Sequence, residues 1–117
     1  MRLIGYWDDG TAEWPDPRNF VDPGWDERER EQVADSLERG WVGRAYMGRS
    51  LCRMCSQPNG SLELSDGTFL WPEGLCHYVS EHAVRLPGDF VRHIISISTQ
   101  MKDADIDDSW WKAQQCP

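Results

Sequence analysis

No stretch of this 117-residue chain approaches the ~18–20 consecutive apolar residues that a membrane-crossing helix needs. The opening MRLIGYWDDG has no apolar core of the kind a secretory leader carries, so the expected compartment is the cytoplasm. There is no internal repeat and no low-complexity segment. A glycine-rich phosphate loop is also missing: Gly40, Gly43 and Gly48 are irregularly spaced, and no Gly-Lys-Ser/Thr follows them. Cysteine is scarce, with four residues in all, and in a reducing compartment such thiols read as free groups or metal ligands before disulfides. Acid is absent from Arg39 to Leu62, where Arg39, Arg44, Arg49 and Arg53 are the only charges.

Elsewhere acid dominates. Twelve basic against twenty acidic residues leave a net charge of −8, which disfavours bulk attraction to nucleic acid or an anionic membrane. Asp8, Asp9, Glu13, Asp16, Asp22, Asp26, Glu27, Glu29 and Glu31 face only Arg18, Arg28 and Arg30 in the same stretch. Seven tryptophans add large apolar area to a small core. The length fits one domain over 1–117, and the pattern of elements points to an α+β fold with a short antiparallel sheet and two or three helices.

Residues 2–7 read as a strand and 11–24, with three prolines, as an irregular arm. A helix is expected from about Gly24 to Arg39, capped by Asp22 or Asp26, with Val33, Ala34 and Leu37 inward and Gly40 at its stop. Residues 41–48 read as a strand. SLELSDGTFLW reads as a hairpin turning at Asp66-Gly67, with Leu62 opposite Trp71, Leu64 opposite Phe69, and one face in the core. A helix over 73–84 carries Leu75, Val79 and Ala83 on one side and ends near Pro87; another covers about 88–97. The tail from about 101 to 117 is acidic, and its Trp110 and Trp111 are expected to dock on the body or on a partner.

In order along the chain stand Cys52-x2-Cys55, a Pro-Asn-Gly turn, the hairpin, and a helix bearing His77 and His82. A Cys-x2-Cys turn aims two sulfurs at one point, and two histidines complete a tetrahedron without adding charge, which suits one structural zinc. The unit, about 50–86, resembles a treble-clef finger in its sequence of knuckle, hairpin and helix. H-x4-H places the two rings about 140° apart on an ideal helix, so the final turn has to be loosened. Cys76 and Glu81 are the alternative ligands. A thioredoxin-like redox pair does not fit, because that C-x-x-C opens a helix whereas this one precedes a turn.

The run CRMCSQPNGSLELSDGTFLWPEGLCHYVSEHAVRLP, with the preceding RAYMGRS, resembles a group of small uncharacterised bacterial proteins. They share C-R-x-C, N-G-S-x-E, D-G and W-P-E-G-L-x-H-Y-V-x-x-H-x-V-R-L-P, over roughly residues 44–92 of this chain. The resemblance implies that Cys52, Cys55, His77 and His82 are the matching site positions and that Cys76 falls at a variable place. It implies no activity.

The functional expectation is a zinc-stabilised, non-enzymatic interaction or regulatory protein whose protein partner is basic, anchored by exposed tryptophans. The alternative is a nucleic-acid-binding finger using Arg44, Arg49 and Arg53, with Trp41 and Tyr46 to stack on bases. A metal-dependent hydrolase with Glu73 or Glu81 as acid/base ranks third, since His77-Tyr-Val-Ser-Glu81-His82 matches neither H-E-x-x-H nor H-x-x-E-H.

Overall fold

The computed structural model describes residues 1–7, 14–45, 50–103 and 109–114. Helix α1 (Glu27–Glu38) starts where Asp26 accepts the Glu29 N–H at 3.1 Å, leaving Glu27 and Glu29 in a first turn that favours negative charge. Its inward stripe is Val33, Ala34 and Leu37, all buried. Strand β1 is only Arg2–Leu3, shorter than expected, because Gly5 takes a left-handed φ of +80° against the Leu75 side chain. Strands β2 (Trp41–Ala45), β3 (Leu62–Ser65) and β4 (Phe69–Pro72) complete a four-stranded sheet of order β1-β4-β3-β2. The two later pairings are antiparallel, but β1 runs parallel to β4, so the sheet is mixed where an antiparallel one was expected.

The hairpin register differs by two residues from the expected one: Leu64 faces Trp71 and Ser65 faces Leu70. Asp66 prefers to act as a cap than to sit in the turn. Its Oδ1 accepts N–H groups from Thr68 at 2.9 Å and Phe69 at 2.8 Å, so Gly67 and Thr68 make the corner. A slip of two preserves the faces, and Leu64 and Trp71 still point to the helices. The opposite face, beyond the one expected in the core, is buried in part as well. Glu63, Ser65 and Leu70 are buried there, with the Tyr6 hydroxyl donating to the Glu63 carboxylate and Met1 covering Ser65.

Asp66 also receives helix α3 (Gly88–Asp103), whose His93 Nε2 lies 2.7 Å from its Oδ2. Burial pushes the Asp66 carboxyl up, yet the two N–H donors and His93 outweigh it and hold it below its ordinary 3.8. A carboxyl held low in the fold stabilises it above the unfolded value, and that contribution is lost as pH falls through the lowered one. Stability is therefore expected to decline below about pH 4. Asp66→Ala, which strands the Thr68 and Phe69 N–H groups, is expected to cost about 1–3 kcal/mol at pH 7 and to flatten that acid limb. Urea melts across pH 3–7 measure both.

Helix α2 (Leu75–His82) ends earlier than Pro87 would make it, at Ala83, which takes a left-handed φ of 52°. The arm straps this exit in place. Val21 bridges Val84, Asp22 N donates to Ala83 O at 3.0 Å, Arg85 N donates to Phe20 O at 2.8 Å, and Arg85 pairs with Asp22 at 2.8 Å. Helices α1, α2 and α3 then enclose one core with the sheet, centred on the fully buried Trp71, Leu37, Leu75, Val79 and Phe90. Trp25 lies in that core, 4% exposed, whereas Trp14 is partly exposed. Past α3, which runs six residues beyond its expected end, Ser109–Lys112 forms one helical turn (α4) whose Trp111 is 69% exposed. The Trp110 side chain lies outside the described residues. No helix among the described residues is long and apolar enough to cross a membrane.

Candidate metal centre

Residues 50–60 form a short ribbon closed at its base by Ser50 N to Gly60 O at 2.9 Å and Asn59 N to Ser50 O at 3.0 Å. At its tip, Cys52 N donates to Gln57 O and Ser56 N donates to Cys52 O, both at 2.9 Å, while Ser56 at φ 61° reverses the chain. This turn places Cys52 and Cys55 side by side. The Met54 N–H points at the Cys52 sulfur at 3.4 Å, partly offsetting thiolate charge. The ribbon's base abuts the start of α2, where Asn59 lies against Gly74 and Gly60 against Glu73, so tip and helix face one another at a fixed distance.

From that helix come His77 and His82, and the fit depends on how α2 closes. The Tyr78 carbonyl accepts from Ala83 and Val84, five and six residues on instead of four, so the last turn is widened. His82 is thereby carried round toward His77, and the two ring centroids stand 5.0 Å apart. The loosening that H-x4-H demanded is present, and its cause is the left-handed Ala83 held by the arm.

The ligand atoms of Cys52, Cys55, His77 and His82 all lie within 4.8 Å of one another, close enough to hold a metal ion. Cys55 Sγ is 3.3 Å from His77 Nε2. Cys52 is 2% exposed, Cys55 is exposed, and the two histidines are half-buried, so the centre opens to solvent on the Cys55 side. His82 Nε2 is buried without a hydrogen-bond partner. An orphaned buried polar atom costs about 1–3 kcal/mol, a cost that a metal bond removes. Burial, with His77 adding to it, also holds the His82 pKa below its ordinary value, which favours the neutral imidazole that ligates metal.

The alternative ligands point elsewhere. Cys76 turns its sulfur toward Glu38 on α1 at 3.4 Å, and burial together with that carboxylate pushes its thiol up to about 12. Glu81 is exposed, and neither it nor Glu73 belongs to the cluster. Of the arginines singled out from the sequence, Arg53 is exposed at the ribbon tip, and its carbonyl accepts from Arg18 at 2.9 Å. The side chain of Arg44, and Tyr46 and Arg49 entirely, lie outside the described residues.

One residue escaped sequence reasoning. The buried Tyr78 hydroxyl accepts the Arg53 N–H at 2.8 Å and interacts with the Cys52 thiol, so it orients the knuckle from behind. Burial raises its pKa, the Cys52 sulfur adds to the rise, and the phenol stays protonated as a donor toward sulfur. No local pattern signals it, since adjacent helical residues point about 100° apart and Tyr78 meets the knuckle only because the fold brings the ribbon over α2. Groups that orient ligands are commonly worth 10–100-fold in metal affinity. Tyr78→Phe is expected to weaken metal binding by roughly that factor with little change in fold, as read by competition against a chromophoric chelator and by circular dichroism.

Compared with protein-family models, with curated proteins and with solved structures, the chain matches none.

Proposed function

We propose that the protein is a zinc-stabilised, non-enzymatic interaction or regulatory module of the bacterial cytoplasm, with a basic protein as its partner. The observation that carries the metal half of this reading is the orphaned His82 Nε2 within a set of two sulfurs and two imidazoles. That donor set is the one zinc favours. Bonds of ~2.3 Å to sulfur and ~2.0–2.1 Å to nitrogen give a tetrahedral sulfur–nitrogen edge of roughly 3.5–3.6 Å, and the Cys55–His77 separation of 3.3 Å lies a few tenths of an ångström inside it. Four protein donors fill a tetrahedron and leave no position for a reacting water, which favours a structural ion over a catalytic one. The order of ribbon, hairpin and helix supports a treble-clef-like unit.

The interaction half rests on surface chemistry. Trp41 and Trp111 are both more than half exposed, and tryptophan is among the side chains most enriched as anchors of protein interfaces. A net charge of −8 steers basic partners toward the chain and repels phosphate backbones. The test is elemental analysis of untagged protein, followed by capture experiments with the full chain. About one zinc per chain and a co-purifying basic protein are the expected results. Retention on nucleic acid that falls steeply with salt would replace this reading with the finger that uses Arg44, Arg49 and Arg53, and a water-bound metal would replace it with a hydrolase.

A further inference from the structure

The two sulfurs of the centre are unequal. Cys52 is 2% exposed, takes the Met54 N–H and lies against Tyr78, whereas Cys55 sits at the solvent side of the cluster with His77 Nε2 at 3.3 Å. A metal keeps both as thiolates, the nucleophilic form, but only one of them is within reach of a dissolved reagent. We propose that this pair is a peroxide-responsive modification site: Cys55 is oxidised first, Cys52 resolves it as a disulfide, and the metal is released. The inference rests on the zinc reading and adds a mode of regulation to the same site.

The chemistry closes without any further reactant. The Cys55 thiolate attacks one oxygen of hydrogen peroxide, the O–O bond breaks, and the departing hydroxide takes a proton to become water. Cys55 is then a sulfenic acid and a much poorer ligand. Cys52 attacks its sulfur, the S–S bond forms, the S–O bond breaks, and a second water leaves. Two thiolates are oxidised and one peroxide is reduced to two waters, with two protons taken from solvent. The sulfurs begin within 4.8 Å of each other on one turn, so reaching the ~2.05 Å of a disulfide needs only a short movement. With both sulfurs consumed, two imidazoles remain, too few to retain the ion.

A built-in reference thiol makes the site testable. Cys76 is partly buried, with its sulfur turned away from the cluster toward the Glu38 carboxylate at 3.4 Å, so a dissolved oxidant reaches it less readily than the exposed Cys55. The full-length, metal-loaded protein is titrated with hydrogen peroxide while metal release is followed with a chromophoric chelator, and each cysteine is mapped by mass spectrometry. One ion released per peroxide consumed, a Cys52–Cys55 disulfide, and oxidation there roughly tenfold or more faster than at Cys76 are expected. A thiol reductant should restore metal binding, and Cys76→Ser should release metal as the parent does.

Metal retained at peroxide levels that oxidise free cysteine overturns the proposal. So do sulfinic acids in place of the disulfide, or oxidation that begins at Cys76. Protein isolated without any metal defeats the zinc reading and this inference together, and the elemental analysis made before peroxide is added identifies that outcome. Bound metal that resists peroxide defeats the inference alone.

Discussion

Stripping the metal with a chelator is expected to lower the melting temperature by about 15 °C. An ion present at a free concentration a thousandfold above its dissociation constant contributes about 4 kcal/mol to a fold that binds it only when native. For a chain of this size each kcal/mol shifts the midpoint by roughly 4 °C. The loss has a local origin as well. Without the ion, Cys52 is a buried thiol, His82 Nε2 is buried with no partner, and among the described residues the ribbon tip is held to α2 by Tyr78, the Cys55–His77 contact and the contacts at the ribbon base. The core of Trp71, Leu37 and Phe90 is packed by the sheet and helices without the histidine ligands, so the stripped protein should keep much of its helical signal while the 50–60 ribbon loses protection from hydrogen exchange. An unchanged melt after chelation would return Cys52 and Cys55 to the status of ordinary thiols.

Trp71→Ala is expected to cost about 3–5 kcal/mol, and more of the stability than any surface change. Trp71 is fully buried, its indole N–H donates to Leu37 O at 3.3 Å, and its ring meets Phe90 edge-on at 6.2 Å. It thus joins the sheet to α1 and α3 at once. Gly40 belongs to the same contact: a methyl group there would stand 2.7 Å from the Trp71 ring and 3.0 Å from the Leu64 Cβ. Truncating the indole leaves a cavity bounded by α1, α3 and two strands, none of which can collapse without moving the others. Denaturant melts of the variant should show a lower midpoint with an unchanged slope, and the metal content should stay near that of the parent. Loss of metal along with stability would mean that core and centre are coupled through the buried Cys52 and Tyr78 that they share.

Much of this was legible in the residues alone. Helix α1 announces itself through Asp26 and the spacing of Val33, Ala34 and Leu37, because capping and period 3.6 are local properties. The four-residue cluster was legible for a related reason: a Cys-x2-Cys turn can point its sulfurs in few directions, and a helix carrying two histidines must supply the rest. What escaped was decided by partners distant in sequence. The hairpin register turned on Asp66, whose carboxylate satisfies two N–H groups and meets His93 on α3. The second buried face of the sheet depends on Met1 and Tyr6 covering Ser65 and Glu63, across about sixty residues of chain. A parallel pairing of two residues leaves no periodic trace that a reader could follow.

That pairing has a kinetic meaning. Arg2 faces Phe69, 67 positions further on, while β3 and β4 find each other across a turn of two residues. Closing the longer loop costs more chain entropy and is rewarded by a pairing only two residues long, flanked by Arg2 N to Thr68 O and Ile4 N to Leu70 O, both at 3.0 Å. The N-terminal strand is therefore the last piece of the sheet to zip and the first to peel away. Each time it lifts, the carboxylate of Glu63 is opened to water, so the most buried acid in the sheet is guarded by its least persistent strand.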